Sequence, residues 1–169
     1  MSTNKDKMDW RKRGVKRERN HEPLVTKLSS SRGAENPIFS FNKDLMVFAG
    51  MVGHSLGKRR SLTGDTISIL LEQYAPSPPA AQLDAYIYLI ALMEDKNATV
   101  LKDENLADAI KIFEEYCNAG LYEIKLWLDE NPGDHEGIDM LYKKIFEKIV
   151  QNEKDFSNQQ SNEAINVEF

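Results

Sequence analysis

The sequence contains few of the residues that build disulfide frameworks or metal sites. It has one cysteine, Cys117, and three histidines among 169 residues. A single cysteine excludes a disulfide within the chain, which fits a reducing compartment, so we expect a cytoplasmic protein. The histidines lie far apart and no ligand-spacing motif surrounds them. The sequence therefore predicts neither a metal site nor another cofactor.

Long apolar runs are also absent. No apolar stretch reaches the roughly 20 residues that a membrane-spanning helix needs. Residues 1–14 are polar and charged, and they lack the apolar segment of a secretory signal. We therefore expect no membrane association.

The sequence shows no constellation of catalytic residues. Segment 53–59 superficially resembles a phosphate-binding loop, but its glycines are four apart instead of five and an arginine follows the lysine. Cys117 falls on an apolar helical face, where a small buried hydrophobe is the ordinary interpretation. His54 lies inside a predicted apolar helix, which favours a core or interface role over a general base. We expect a protein that is not an enzyme.

Charge is distributed unevenly along the chain. Residues 1–60 contain 14 Lys and Arg against 6 Asp and Glu, whereas residues 61–169 contain 8 against 21. The asymmetry predicts a basic arm on an acidic body. Cations that contact phosphates release counterions, so the clustered ones are candidates for binding DNA. The candidates are Arg11, Lys12, Arg13, Lys16, Arg17, Arg19, Lys58, Arg59 and Arg60.

Other interpretations of these cations stay open. Residues 1–20 could be a solubilising tail. Residues 58–60 could cap a helix, since cations suit a helix C-terminus, and pair with the acidic half. The acidic residues within 103–130 predict either a solvated face or a surface for a basic protein partner.

The apolar periodicity predicts an all-α fold, a compact irregular bundle of about five helices. Residues 1–20 are predicted as a flexible basic arm, 21–151 as a single helical domain, and 152–169 as a disordered polar tail. Segment 66–71 is β-branched and favours an extended segment or a short helix. The predicted helices cover about residues 21–31, 43–56, 80–93, 103–130 and 135–151.

The helix at 43–56 is almost uninterrupted in apolar and small residues, which is typical of a buried central helix. Gly50 and Gly53 lie on one side of it and predict that another helix crosses closely there. Gly57 is suited to end the helix, and Asn42 is a plausible N-cap. Gly120 marks either a break or a close crossing.

Eight short segments of the sequence form a recognisable set. They are Asn36-Pro37-Ile38-Phe39, Asn42-Lys43-Asp44-Leu45, Gly57-Lys58-Arg59, Tyr88-Leu89-Ile90-Ala91-Leu92, Leu101-Lys102-Asp103-Glu104-Asn105, Ile112-Phe113-Glu114-Glu115-Tyr116, Gly120-Leu121 and Trp127-Leu128. Together they resemble a small family associated with bacterial DNA phosphorothioation (Dnd) systems, the Dnd-associated protein type 4 family. The resemblance covers about residues 22–134. It implies a role beside enzymes that replace a phosphate oxygen with sulphur, or beside linked restriction machinery that attacks unmodified DNA, and it implies no defined catalytic motif.

With this resemblance, we expect a non-enzymatic accessory or adaptor protein of a phosphorothioation-linked modification or restriction (anti-phage defence) system. It would contact DNA or a DNA-bound complex of other proteins of the system. The alternative is a pure protein-interaction module or transcriptional regulator without phosphate contact. A homodimer through the helices at 80–93 or 135–151 also stays open.

Overall fold

The computed structural model describes residues 10–29, 36–75 and 82–165, and the side chains of these except Arg11 and 157–165. The end of the predicted helix at 21–31 and the start of the predicted helix at 80–93 lie outside the described residues. The described chain forms two strands and five helices, together with short 3-10 turns. The elements are β1 (Gly14–Glu18), α1 (Glu22–Leu28), α2 (Asn42–Ser55), β2 (Thr66–Leu70), α3 (Asp84–Asp95), α4 (Leu106–Asp129) and α5 (Ile138–Ile165).

The chain divides into two compact units, Met1–Leu126 and Trp127–Phe169. The first unit contains the sheet, α1 to α3 and most of α4. The second contains the last residues of α4 and α5. The division into an arm, one domain and a tail stays a prediction, although the secondary structure within it differs in two places.

The first difference is a small antiparallel sheet, so the all-α prediction was not strictly correct. β1 pairs with β2, with Gly14 opposite Leu70 and Glu18 opposite Thr66. Residues 10–20, predicted as part of a flexible arm, are therefore a strand flanked by two 3-10 turns. Of the two forms left open for 66–71, an extended segment or a short helix, the structure has the extended one over Thr66–Leu70.

Strand β1 forms because its inward side chains find partners. Val15 is fully buried and the Arg17 side chain is only 1% exposed. Arg17 Nη2 donates to Glu22 Oε2 at 2.5 Å, and Nη1 donates to the Glu18 carbonyl at 3.4 Å. The buried Nε of Arg17 has no hydrogen-bond partner among the described residues. A buried cation is nevertheless tolerated when a carboxylate pairs with it. A charge-dense segment that looks unstructured can therefore become part of a core.

Helix α2 is buried, as its apolar composition predicts, and most of its residues from Leu45 to Gly53 are inaccessible to solvent. Its N-cap is Phe41, one residue before the expected Asn42. The Phe41 N–H donates to Asp44 Oδ2, and the Asp44 N–H donates to the Phe41 carbonyl, both at 3.0 Å. At the other end Gly57 has φ +62°, which confirms its helix-ending role.

The predicted close crossing is the contact between α2 and α4. A Cβ on Gly120 would overlap the Ala49 carbonyl, and a Cβ on Gly53 would overlap the Tyr116 carbonyl. A Cβ on Gly50 would lie 2.7 Å from the Phe113 ring. The backbones of the two helices therefore touch without side chains between them. Gly120 does not break α4, which runs continuously from Leu106 to Asp129.

The second unit contains the other difference. The Asp134 carboxylate accepts hydrogen bonds from the backbone N–H groups of Gly137 and Met140 at 2.9 and 2.8 Å, and so caps the start of α5. The helix then continues to Ile165, beyond residue 152, where we expected a disordered tail to begin. Once a helix is nucleated, each added residue needs only one more hydrogen bond, so a polar sequence can extend it.

Among the described residues, none of the helices combines the length and the apolar character needed to cross a membrane.

We expect Gly120→Ala to lower the free energy of unfolding by about 1–3 kcal/mol, because the added methyl group must displace the backbone of α2. Gly64→Ala is the matched control, since nothing lies within 4 Å of a Cβ built on Gly64. Urea denaturation of both variants measures the difference. Equal stability of the two variants would contradict the close helix contact.

Candidate functional site

The strongest sequence signal, the basic segment 58–60, lies against helix α4. Gly57 turns the chain after α2, and the Lys58 N–H donates back to the Gly53 carbonyl at 3.0 Å. The Arg60 N–H donates to the Glu115 carbonyl at 3.1 Å. The close packing of α2 on α4 thus delivers the three cations to the acidic side of α4.

Arg59 connects two helices through its guanidinium group. Its Nε and Nη2 donate to Glu115 Oε2 on α4 at 3.1 and 2.5 Å, and Nη1 donates to Glu94 Oε1 on α3 at 2.6 Å. The Tyr116 hydroxyl donates to the other oxygen of Glu94 at 2.5 Å. The Arg59 guanidinium also lies 5.5 Å from the centre of the Tyr116 ring. Charge-assisted hydrogen bonds of this kind are stronger than neutral ones.

The ionisation of this cluster follows from its contacts. Partial burial opposes the charge of Arg59, but its hydrogen bonds to Glu115 and Glu94 outweigh burial and raise its pKa. The hydrogen bond from Tyr116 and then that from Arg59 lower the pKa of Glu94. Burial, followed by the bond to Glu94, raises the pKa of Tyr116 to about 12. At neutral pH Arg59 and Glu94 are therefore charged, while the Tyr116 hydroxyl keeps the proton that it donates to Glu94.

Lys58 and Arg60 both lie at the surface. Lys58 Nζ lies 2.7 Å from Glu123 Oε1, and its side chain is 54% exposed. The Arg60 guanidinium lies 4.4 Å from the ring centre of Tyr122, which is itself 40% exposed. An exposed ion pair contributes only about 0–1 kcal/mol, because water screens it. Both cations are therefore accessible to solvent or to a ligand.

A buried polar network, which the sequence did not reveal, fixes the backbone of the same segment. Asn118 is fully buried, and its Nδ2 donates to the carbonyls of Arg60 and Ser61 at 3.3 and 3.4 Å. His21 Nε2 and Asn118 Oδ1 are 2.8 Å apart. Glu18 Oε1 accepts the Thr63 N–H at 2.7 Å. His21, in the turn after β1, and Asn118, on α4, are 97 residues apart in the sequence. No local sequence pattern predicts such a contact.

The described cations of the predicted arm lie in different surroundings. Arg17 is buried against Glu22. Lys16 is exposed on β1, and its backbone N–H donates to Glu114 Oε1 at 2.7 Å. Lys12 and Arg19 are exposed and Arg13 is half-buried, while the side chain of Arg11 lies outside the described part. DNA contact by the nine candidate cations stays a prediction.

The described residues offer little for catalysis. Cys117 is fully buried and burial raises its pKa, so the reactive thiolate is disfavoured; the predicted role as a small hydrophobe is confirmed. The His54 ring lies 5.1 Å from the Tyr116 ring in an edge-on contact. No group of three His, Cys, Asp or Glu among the described residues could hold a metal ion.

Comparison with known proteins gives one family. A family model described as DNA sulphur modification system-associated protein 4 matches residues 14–161. The chain belongs to this family. The match confirms the resemblance inferred from the sequence and extends it at both ends, to include β1 and most of α5. No curated protein and no solved structure matches the chain.

Membership of this family associates the chain with a DNA sulphur modification system. The family description names a system and no reaction. The contacts around Arg59 lead to a prediction about the stability of the fold.

We expect Arg59→Met to lower the free energy of unfolding by about 1–3 kcal/mol, because the apolar stem stays but Glu94 and Glu115 lose their hydrogen-bond donor. Lys58→Met is the matched control, and its exposed pair predicts a loss within about 1 kcal/mol. Denaturant titration at low and moderate salt measures both. A loss for Lys58→Met as large as for Arg59→Met would be inconsistent with the bridging role of Arg59.

The buried His21 predicts a pH dependence of stability. Burial lowers the pKa of His21 and outweighs the opposing effects of Asn118 and Glu18. The unfolded chain then binds the proton at a higher pH than the folded chain. The stabilisation is thus fully present above the ordinary histidine pKa of about 6.5, and it is lost as pH falls through the lowered pKa of the folded state.

His21→Gln should therefore flatten the decline of stability on the acid side of about pH 6.5. His135→Gln is the control, since His135 is exposed and should leave the decline unchanged. Thermal or urea unfolding from about pH 7.5 to pH 5 measures the slopes. If both variants kept the wild-type slope, His21 would not be the titrating group.

Proposed function

We propose that this chain is a non-enzymatic accessory protein of a bacterial DNA sulphur modification or restriction system, and that it acts by binding another protein of that system. Family membership supports the system. The observation that favours a protein partner over DNA is the pairing of Lys58 and Arg59 with carboxylates of α3 and α4.

Phosphate binding requires cations that can face the phosphate. For Arg59 to do so, it would have to release Glu94 and Glu115, and the partly buried Glu115 carboxylate would be left uncompensated. Leaving a buried charge without its partner is costly. Arg17 is excluded more strongly, because its guanidinium lies inside the fold beside Glu22. Two of the nine candidate cations therefore support the fold of the chain itself.

Helix α3 offers a surface of the kind that proteins bind. Tyr86, Leu89 and Met93 follow one another at helical spacing and are 40–49% exposed. Glu94 and its partner Arg59 supply charges next to Met93 in the fold. Protein interfaces combine an apolar centre with a polar rim. We infer that this α3 surface, defined by Tyr86, Leu89 and Met93, is the site at which the partner binds.

Direct DNA contact is the second candidate, and a specific observation favours it. Arg60 lies over the exposed Tyr122 ring, two residues after Lys58, whose side chain is also exposed. A guanidinium over a ring keeps N–H donors at its edge, and these suit a phosphate oxygen. This smaller set of cations would bind DNA weakly and with strong salt dependence.

The test is binding of the purified chain to each purified protein of a DNA sulphur modification system, and separately to duplex DNA with and without sulphur modification. We expect one protein of the system to bind and Leu89→Asp to weaken that binding by at least about tenfold. Leu126→Asp is the matched control, because Leu126 is exposed on a different helix of the same unit. Binding to DNA should be absent near physiological salt.

Two results would overturn the proposal. Failure to bind any protein of the system would exclude the adaptor role. Binding to DNA that weakens steeply with salt and is reduced by Arg60→Ala would replace it with the second candidate. A difference between modified and unmodified DNA would further make the chain a reader of the sulphur mark.

A further inference from the structure

Helix α5 carries an apolar stripe that the fold leaves exposed. Tyr142, the most exposed of these side chains, is 72% accessible, and Phe156 is 61% accessible. Ile138, Ile145, Phe146 and Ile149 are each about half exposed. Met140, on the opposite side of the helix, and Leu141, which flanks the stripe, are buried. The helix thus combines buried apolar residues with an apolar stripe open to solvent.

The spacing of the exposed face is that of a coiled-coil seam. From Ile138 the seam continues at steps of four and three residues along the helix, which is the a/d repeat of a heptad. In this register Tyr142, Ile149 and Phe156 occupy a positions. Ile138, Ile145 and Asn152 occupy d positions. Because the repeat is 3.5 residues and not 3.6, it favours a partner helix that lies along its whole length.

We propose that α5 pairs in parallel with α5 of a second copy of this chain, in a two-stranded coiled coil over residues 138–156. This inference goes beyond the proposed function and does not depend on it. A second copy supplies the same apolar seam, so each a and d side chain meets its equivalent across a two-fold axis.

The charges beside the seam select a parallel pair of identical helices. Lys148 is a g residue and Glu153 is the e residue of the following heptad. In a parallel pair, Lys148 of one copy faces Glu153 of the other, which is an attractive contact made twice. In an antiparallel pair centred on the same stripe, Lys148 would face Lys148 and Glu153 would face Asp139. Like charges opposite each other disfavour that arrangement.

The interior Asn152 agrees with this arrangement. A single Asn at an a position of a coiled coil fixes the register and the number of strands at a cost in stability, and Asn152, at a d position, carries the same cost. In a parallel dimer the two Asn152 side chains lie opposite each other, where each amide can hydrogen-bond the other. The seam of 19 residues is about 28 Å long, which is short for a coiled coil. We therefore expect a dimer that dissociates on dilution into the low micromolar range or below.

The first experiment is analytical ultracentrifugation of the full chain over a concentration series, with circular dichroism to confirm that each variant is folded. The wild type should sediment as a dimer at high concentration. The double variant Ile145→Asp/Ile149→Asp should remain a monomer at concentrations at which the wild type dimerises. Lys143→Asp, an exposed position of α5 outside the seam, is the charge-matched control and should still dimerise.

The second experiment tests the direction of pairing. Ile149→Cys places a thiol at an a position, where a parallel pair brings it to its own equivalent, so mild oxidation should yield a disulfide-linked dimer. Glu147→Cys lies on the outer side of the same helix and should not cross-link. The native Cys117 is buried and should not react.

Each contrary result overturns part or all of the proposal. A wild-type chain that stays monomeric at all concentrations rejects pairing and means that another segment or protein covers the face. A dimer that survives Ile145→Asp/Ile149→Asp places the interface elsewhere. A dimer through α5 that fails to cross-link at position 149 rejects the parallel direction. None of these results bears on binding through the α3 surface, so the two proposals fail independently.

Discussion

The backbone contact between α2 and α4 is the constraint on which the rest of the first unit depends. At Gly53 and Gly120 the carbonyl of one helix occupies the space that a side chain would need on the other. Helices that approach this closely have few alternative arrangements, because any larger residue forces them apart. The contact therefore fixes the path of the chain that leaves α2. Segment 58–60 has to run along α4, and its cations meet whatever α4 presents there.

What α4 presents is acidic, and this gives the charge asymmetry of the sequence a structural meaning. Glu115 forms an ion pair with Arg59 and Glu123 forms one with Lys58, while Glu94 of α3 pairs with Arg59 as well. The basic and acidic halves of the chain are thus partly complements of each other. In the sequence alone, clustered cations indicate a site that binds a polyanion. The fold shows that the same cluster also satisfies the chain's own carboxylates.

The sequence was informative where structure is local. Continuous apolar character located α2, glycines on one side of it predicted the crossing, and Gly57 marked its end. Strand β1 could not be found in this way, because its partner lies about fifty residues further on and its inward Arg17 resembles a solvent-exposed cation. The network of His21 and Asn118 was invisible for the same reason. Contacts between distant segments depend on the tertiary fold, and no periodicity encodes them.

Association with a DNA-modifying system does not require a protein to touch DNA. The chain carries a net charge of -5, so a polyanion meets overall repulsion at long range. Only a local concentration of free cations would overcome it, and the internal pairing of Arg17 and Arg59 reduces that concentration. The exposed apolar side chains of α3 and α5 do not face this barrier, since burial of apolar surface is insensitive to charge. These physical arguments therefore favour contacts with proteins over contacts with DNA at the exposed surfaces of α3 and α5.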